Sequence, residues 1–529
     1  MKKLLTYCLF IGLAVSLKAQ ILPVRDLYLK REIEKAAVSS ENKTHSSFGN
    51  YYFSDYKDII SPETQYSNLF TLIKDTSKNS RLFIMPAFEM MFGKDISNAN
   101  ESLSYFRLGT LIDYSFKEKF AISLMPYFSS YKLPYYLQYT NASYGFNYFP
   151  QQVRDNNEIV PDFRITYRPF EFLTLELANG KNKYGDGYRS FLLSDNALNY
   201  NYFKLETKFL DIKYSCIWSQ LKNEAYSSGM VYHVPMVDQL NKYTVFHYFD
   251  WSISKRFNLG FFESIVIKNG TIFSFEYLNP IIFFRPVEFN LGSEDNALLG
   301  TNMRFSINNT SAVYGQFMLD DIIVGQLIND IKHRVNPDYT GEYGWFANKW
   351  AAQLGYKAYD MFKVDGLDFF TEINIARPYI YSHANPDQSY THWHQSLAHP
   401  IGANFYESVS GVSYLHQKFK VDFKMMYAQV GMDTTNTHFG QNITKPTMDG
   451  NQGYPYQVSS YYNIILQGNK TDILTARLDI SYFPIKNRLL SVNGGILFRS
   501  FVPEVGTSET LNYFYIGLRS NIFNKRMLY

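Results

Sequence analysis

LTARLDISY, residues 474–482, alternates apolar and polar side chains without a break. Because successive side chains of a β-strand point to opposite faces, this pattern predicts a strand with one apolar and one polar face. The alternation recurs in FRLGTLIDYSF, residues 106–116, and in FKVDFKMMY, residues 419–427. A soluble β-sandwich and a transmembrane β-barrel both contain such strands, since the two differ only in the direction of the apolar face.

The spacing of the turns favours the barrel. Short, often basic turn sequences recur at separations of roughly 40 to 70 residues, which leaves room for two strands of about ten residues and a longer loop. Short turns at one end and long loops at the other are typical of outer-membrane barrels. The eight turns lie near Lys117, Arg168, Lys208, Lys255, Asn308, Tyr359, His416 and Lys486.

Eight turns join sixteen strands, and one further strand is expected at each end, near Arg81–Phe92 and Thr510–Phe523. The sequence therefore predicts an antiparallel transmembrane β-barrel of about 18 strands over residues 81–529. In the last strand Phe514, Ile516 and Ile522 share an apolar face. A terminal strand of this kind is what barrel-assembly machinery recognises, so that machinery and outer-membrane lipid are expected partners.

The N-terminal part is expected to contain a signal peptide and a short periplasmic or plug segment. Lys2 and Lys3 precede an apolar run, residues 4–17, and cleavage after Ala19 would remove residues 1–19. Residues 20–80 lack strand alternation, but the stretch 26–37 suits a helix with Leu27 and Ile33 on one side. Only one cysteine would remain after cleavage, which excludes an intramolecular disulfide.

The composition excludes some partners and favours others. A net charge of +3, from 51 Lys and Arg against 48 Asp and Glu, gives no basic block of the kind that nucleic-acid binders carry. The aromatic content of 18% suits strands, the two aromatic girdles of a barrel and a sugar-binding surface. An AT-rich genome would also raise the Phe and Tyr content.

The expected loop GKNKYGDGYRSFLLSDNA, residues 180–197, carries candidate glycan contacts. Glycines permit tight turns, and Tyr184, Asp186, Tyr188 and Arg189 stand among them. No GxxxxGK[ST] motif is present, so the glycines do not indicate a nucleotide site. A structural loop held by internal Arg–Asp pairs is the simpler alternative.

Two further expected loops add candidates. EYLNPIIFFRPVEFNLGSEDNALLG, residues 276–300, contains an apolar run that suits packing into a barrel mouth. SHANPDQSYTHWHQSLAHPIGAN, residues 382–404, mixes imidazole and indole rings that could stack on a sugar and hydrogen-bond its hydroxyls. A structural loop packed into the lumen is the alternative. The candidate residues in these two loops are Arg285, Glu288, Asp295, His383, His392, Trp393, His394 and His399.

No catalytic or metal signature accompanies these residues. His392 and His394 would share one face of a strand, but no cysteine and no HExxH motif stands beside them, so no metal or other cofactor is expected. A G-x-S-x-G elbow and an SxxK set are also missing. The sequence therefore predicts a binding protein rather than an enzyme. An outer-membrane hydrolase with residues scattered over several strands is the weaker alternative.

Four motifs in order resemble a known family. YGDGYRSFLLSDNA at 184–197, EYLNPIIFFRPVE at 276–288, GSEDNALLG at 292–300 and SHANPDQSYTHWHQSLAHPIGANF at 382–405 look like the Wzi-type capsule-assembly barrels and their RemB-type gliding-motility relatives in the Bacteroidetes. The resemblance runs from about Leu175 to Gln429. It implies an eighteen-stranded outer-membrane barrel with a periplasmic helical part and non-enzymatic binding of surface polysaccharide.

Two functions remain open at the level of the sequence. The first is exopolysaccharide binding in gliding motility or capsule assembly. The second is a diffusion porin, because Arg107, Lys424 and Arg477 are expected to face the lumen. In either case the short turns should be periplasmic, and the long loops should face the cell exterior.

Overall fold

The computed structural model describes the chain from Ile21 to Phe523 with gaps. The described residues are 21–39, 41, 43–61, 73–75, 80–97, 102–132, 157–222, 241–267, 275–281, 295–321, 323–336, 338–393, 395–434, 437–447, 458–485 and 488–523. The predicted signal peptide, residues 1–19, lies outside them, as do Arg285, Glu288 and His394.

Eighteen long antiparallel strands form a closed barrel, which confirms the predicted fold and strand number. The first strand pairs with the last, Glu89–Asp95 against Tyr513–Arg519. In chain order the strands are β1 (Ser80–Asp95), β2 (Ser102–Phe116), β3 (Phe120–Lys132), β4 (Asn157–Phe170), β5 (Leu173–Gly180), β6 (Tyr200–Phe209), β7 (Ile212–Lys222), β8 (Asn241–Trp251), β9 (Phe257–Ile267), β10 (Asn296–Ser306), β11 (Ser311–Asp321), β12 (Lys349–Ala358), β13 (Leu367–Ala376), β14 (Phe405–His416), β15 (Phe419–Met432), β16 (Asn469–Tyr482), β17 (Leu490–Pro503) and β18 (Glu509–Ser520).

All eight predicted turns join consecutive strands at the same end of the barrel. They connect β2 to β3, β4 to β5, and so on to β16 and β17, with the shortest at 171–172, 210–211 and 417–418. The opposite end carries the longer connections, including 181–199, 322–348, 377–404 and 433–468. The β1–β2 and β17–β18 connections at that end are short, 96–101 and 504–508, so the length asymmetry is incomplete.

The wall is apolar outside and polar inside. In β15 the outward Val421, Phe423 and Met425 are exposed. Asp422, which lies between Val421 and Phe423 and points inward, is buried. In β16 Arg477 and Asp479 point inward and form an ion pair of 2.8 Å. The three alternating stretches quoted above thus have the inside-out arrangement of a membrane barrel. No helix among the described residues is long and apolar enough to cross a membrane.

The predicted C-terminal strand is two to three residues too long. β18 ends at Ser520, and Ile522 and Phe523 turn into the lumen, where both are buried. Ile522 therefore does not share the outward face of Phe514 and Ile516. Just beyond the end of β18, the Asn521 amide donates to the Leu489 carbonyl at 2.8 Å.

The N-terminal segment, residues 21–61, lies inside the barrel at the short-turn end. It contains helix α1 (Leu27–Val38), and the Asp26 carboxylate caps the helix by accepting from the Tyr28 and Leu29 amides. The buried face holds Leu29, Ile33 and Ala37, so Leu29 takes the place that the sequence analysis gave to Leu27. Spacings of four residues put these side chains on one helical face.

Several shorter elements complete the described chain. A second helix, α2 (Val324–Val335), lies in the β11–β12 connection and was not predicted. The strand Ile73–Asp75 extends the sheet beside β1, and Thr391–His392 pairs with Gln395–Ser396. The 3-10 segments are Phe53–Tyr56, Phe275–Leu278, Met361–Lys363 and Pro386–Gln388.

The direction of the apolar face can be tested at Leu478, in the middle of the outward face of β16. Leu478→Lys should lower the free energy of unfolding by about 2–4 kcal/mol, because a cation would lie near the midplane of the bilayer. Tyr482→Lys, at the end of the same face, should cost no more than about 1 kcal/mol. Denaturant titration of the protein in lipid vesicles measures both. Equal effects would contradict the proposed depth of β16.

Candidate functional site in the barrel lumen

Two parts of the chain meet inside the barrel. The N-terminal segment enters from the short-turn end, and the 181–199 connection folds inward from the other end. Their backbones pair directly, since the Gly185 amide donates to Ser47 at 2.8 Å and the Gly49 amide donates to Lys183 at 2.9 Å. Gly185 has φ +112°, and a Cβ there would overlap the Gln316 amide, so this contact needs glycine.

The 181–199 loop is held by apolar packing with the 377–404 loop. Phe191, Leu192 and Leu193 are buried, and the Tyr381 and Tyr390 hydroxyls donate to the carbonyls of Phe191 and Leu192 at 2.8 and 2.9 Å. The two long connections thus form one packed body within the lumen. For the 382–404 loop, this is the structural alternative that the sequence left open.

Asp186 joins the loop, the wall and the N-terminal segment. Its carboxylate lies 3.3 Å from Arg304 and 3.8 Å from Lys357, and it accepts from the Ser46 hydroxyl at 2.6 Å. Burial alone would raise the pKa of Asp186, but Arg304 and Lys357 outweigh it and lower the pKa to about 2. Asp186 is therefore charged at neutral pH and serves as a structural anchor.

Arg189 makes the second buried ion pair. Its guanidinium donates to Glu407 Oε1 at 3.0 Å, and the other oxygen of Glu407 contacts His399 Nε2 at 2.7 Å and accepts from Asn374 at 2.8 Å. Asp186 and Arg189 each form ion pairs with inward-facing side chains of the barrel wall, on β10, β12 and β14.

Tyr184 and Tyr188 have different environments. Tyr184 is buried, stacks on Tyr248 with ring centroids 4.5 Å apart and donates to Ser215. Tyr188 is half-buried, stacks on Phe370 at 4.9 Å and has the Lys424 ammonium 4.7 Å from its ring centroid. Of these two tyrosines, only Tyr188 lines the open space in the lumen.

The remaining candidates do not converge on one site. Asp295 accepts from Tyr277 and from Gln388, and His383 Nδ1 accepts from the Asn385 amide at 3.2 Å. Trp393 is buried and donates its backbone amide to Lys222. The Asp295 and Trp393 contacts join separate parts of the chain, whereas the His383 contact is local. Among the described residues, no group of three His, Cys, Asp or Glu could hold a metal ion.

His392 is held as a neutral ring. Its Nδ1 accepts from the Lys222 amide at 2.9 Å, and Nε2 lies 3.2 Å from the Asn199 carbonyl, which only a ring protonated at Nε2 alone satisfies. Burial lowers the pKa of His392 to about 3, and it lowers the pKa of His383 to about 4. Both rings are therefore uncharged at neutral pH.

A cavity of about 550 Å³ remains between the N-terminal segment, the tip of the 181–199 loop and the wall. Twelve Lys and Arg side chains line it against seven Asp and Glu. Of the predicted glycan contacts that the structure describes, only Asp186 and Tyr188 belong to this lining. Arg107 and Lys424, which the alternation had assigned to the lumen face, line it as well.

Most of the acidic groups of this lining are engaged by cations. Asp162 lies 3.1 Å from Arg25, and Asp422 lies 2.9 Å from Lys420. Asp368 Oδ2 accepts a hydrogen bond from Arg31 Nε at 2.6 Å, so these two side chains also form an ion pair. Since the lining holds five more Lys and Arg than Asp and Glu, the cavity carries an excess of positive charge beside Tyr188.

Sequence reasoning missed most of the cationic lining. Lys30 and Arg31 stand on α1, Lys183 lies in the loop, and Arg164 and Lys357 lie on strands far apart in the chain. The alternating pattern indicates which strand residues face inward. The pattern does not indicate which inward-facing residues line the cavity, because the cavity is bounded by the N-terminal segment and the loops.

The fold can now be compared with known proteins. The structure aligns with Wzi of Escherichia coli, an outer-membrane protein involved in group 1 capsule assembly and described as a carbohydrate-binding β-barrel. The TM-score is 0.57 at 11% identity, over 94% of this chain and 98% of Wzi. The chain has a Wzi-like barrel fold.

Other solved barrels match less well. OccK1 of Pseudomonas aeruginosa gives a TM-score of 0.44 at 7% identity, over 83% of this chain and 98% of OccK1. OprD of the same organism gives 0.42 at 8% identity, over 85% of this chain and 98% of OprD. No protein-family model and no curated protein matches the sequence.

Arg189→Met tests whether this residue is structural. We expect the free energy of unfolding to fall by about 3–5 kcal/mol, because the substitution leaves Glu407 buried without its main counter-charge. Lys43→Met is the matched control, since it removes an exposed ion pair with Asp211 and should cost about 0–1 kcal/mol. An Arg189→Met protein as stable as the wild type would contradict the anchoring role.

The neutral state of His392 predicts a pH dependence. Unfolded imidazole titrates near about 6.5, so the unfolded chain binds the proton first. The stabilising contribution of His392 is therefore complete above about pH 6.5 and declines as the pH falls toward about 3. Between neutral pH and about pH 4.5 the wild type should lose up to about 2–3 kcal/mol more unfolding free energy than His392→Asn, whose amide cannot titrate. Parallel pH profiles of the two proteins would rule this out.

Proposed function

We propose that this chain is a non-enzymatic outer-membrane barrel that binds or organises an exopolysaccharide at the cell surface, in gliding motility or capsule assembly. The cation-rich lumen cavity beside Tyr188 carries the proposal. The Wzi-like fold supports it, because Wzi is described as a carbohydrate-binding barrel. The RemB-type resemblance of the loop motifs adds gliding motility to the possible settings.

The occupancy of the lumen distinguishes this function from a general porin. A porin of this strand number keeps a water-filled channel. Here the N-terminal segment and the 181–199 loop meet in the lumen through paired backbones, and the 377–404 loop packs above them. Passive diffusion of solutes would require these packed elements to move, so the arrangement favours a binding protein.

The lining of the cavity suggests an acidic glycan. Its volume is within the range of small-molecule pockets, which is enough for a short stretch of sugar. Tyrosine rings such as Tyr188 suit the apolar face of a pyranose, and ammonium groups such as Lys424 suit carboxylates. A polysaccharide with uronic acids or other acidic substituents combines both features.

The orientation follows from the same proposal. Residues 1–19 would direct export and be removed, the short turns and α1 would face the periplasm, and the long connections would face outside. The apolar belt would contact outer-membrane lipid, and β18 would be the strand that assembly machinery recognises. The other predicted glycan contacts, from Asp186 to His399, would then position the loops around the ligand.

Binding of oligogalacturonate to the purified full chain tests the proposal, with neutral dextran as the comparison. Oligogalacturonate should bind, and Lys30→Gln with Lys424→Gln should weaken its binding by roughly tenfold or more, through lost charge-assisted contacts. Lys43→Gln, outside the cavity, should leave the affinity unchanged. In planar bilayers the protein should give near-closed traces. Large, steady channels without glycan binding would favour the porin instead.

A further inference from the structure

Helix α2 presents an apolar face that nothing in the described chain covers. With 3.6 residues per turn, Val324, Ile328, Ile331 and Val335 fall within one narrow arc of the helix. Their exposed fractions are 65, 47, 55 and 79%. Four exposed aliphatic side chains in one stripe are unusual for a helix bathed in water.

The polar face of α2 is the one that contacts the protein. Asp330 accepts from the Arg377 guanidinium at 2.5 Å and from the Gly344 amide at 2.6 Å. The His333 ring stacks on Tyr343 with centroids 3.5 Å apart. The contacts of Asp330 and His333 therefore hold the polar face of α2 against the protein and leave the apolar face exposed.

These contacts also fix the height of α2 on the barrel. Arg377 directly follows β13, and Asn348 directly precedes β12. Asn348 accepts from the Ile323 amide at 3.1 Å and donates to Asp330 at 3.3 Å. The helix is thus held at the rim where the strands end, at the long-loop end.

The apolar outer surface of the wall reaches the same rim. Leu319 and Trp350 are register partners near the ends of β11 and β12. Their neighbours Met318 and Ala351 point inward and are fully buried, so Leu319 and Trp350 face outward. The rim that anchors α2 lies two residues beyond Trp350. The apolar stripe of α2 is therefore held close to the upper edge of the lipid-facing surface.

We propose that α2 is an interfacial helix, whose stripe lies in the headgroup and upper acyl region of the leaflet at the long-loop end. Lys332 and Arg334 flank the stripe on its two sides, about 80° away from it in the helical projection. Cations there can reach lipid phosphates while their stems lie along the acyl chains. The occupant of the stripe is thus a lipid surface rather than a protein partner.

Site-specific fluorescence in lipid nanodiscs tests this inference, which depends on the barrel lying in a membrane. The full chain in a Cys216→Ser background would carry a dye at Ile328→Cys. Nanodiscs of phosphatidylcholine and phosphatidylglycerol, with or without acyl-chain nitroxide lipid, report lipid contact, and iodide reports water contact. Leu354→Cys on the outward face of β12 is the membrane control, and the exposed Asp338→Cys beyond α2 is the water control.

The dye at Ile328→Cys should resemble the dye at Leu354→Cys, with strong quenching by nitroxide lipid and weak quenching by iodide. Asp338→Cys should show the reverse. If Leu354→Cys is quenched by lipid but Ile328→Cys by iodide, the barrel is in the membrane and the helix inference fails. If Ile328→Cys is shielded from both quenchers in a particle with two copies, the stripe is a contact between copies, which also overturns it. Quenching of Leu354→Cys by iodide would instead place the error in the membrane barrel itself.

Discussion

Inside a bilayer, a backbone amide that finds no partner within the protein finds none at all, so a sheet can cross only when its two edge strands pair. The pairing of β1 with β18 meets this requirement. Closure then determines the rest of the structure, because it turns the apolar residues of each strand toward lipid and the polar residues toward the lumen. A lumen walled by charges must be hydrated or filled with partners for those charges. This chain fills much of it with residues 21–61 and two long loops.

Buried ion pairs, as well as apolar contacts, hold the N-terminal segment and the loops inside the lumen. Removing a charge from water costs several kcal/mol unless a counter-charge and further hydrogen bonds replace the solvent. Asp186 and Glu407 each have both, since each contacts a basic residue and at least one uncharged donor. Such pairs contribute little net stability compared with apolar packing, but they define which loop lies against which strand. The loop positions, and with them the shape of the cavity, follow from these pairs.

The strands of the barrel wall could be predicted from the sequence, but the arrangement of the segments inside the lumen could not. Each strand shows its alternation within a stretch of about ten residues, such as 474–482. The spacing of the eight turns then gives the number of strands. The end of β18 was misplaced because Ile522 keeps the strand pattern while its backbone turns inward. Helix α2 was not predicted although its residues repeat at helical spacing, since only twelve helical residues stand between long alternating segments. The pairing of Asp186 with Arg304 spans 118 residues of chain, and no local pattern contains it.

The position of α1 has a consequence for how the molecule is built. Arg31 on α1 bonds to Asp368, which lies 337 residues later in the chain. Arg31 therefore meets this counter-charge only after about two thirds of the wall has been made, whereas Arg25 of the same segment pairs with Asp162 on β4. Contacts between such distant residues carry a large loop-closure cost and form slowly. The apolar side of α1 packs on the first strands of the wall, against residues such as Phe83 and Leu111, but its charged side stays without the Asp368 carboxylate until β13 is in place.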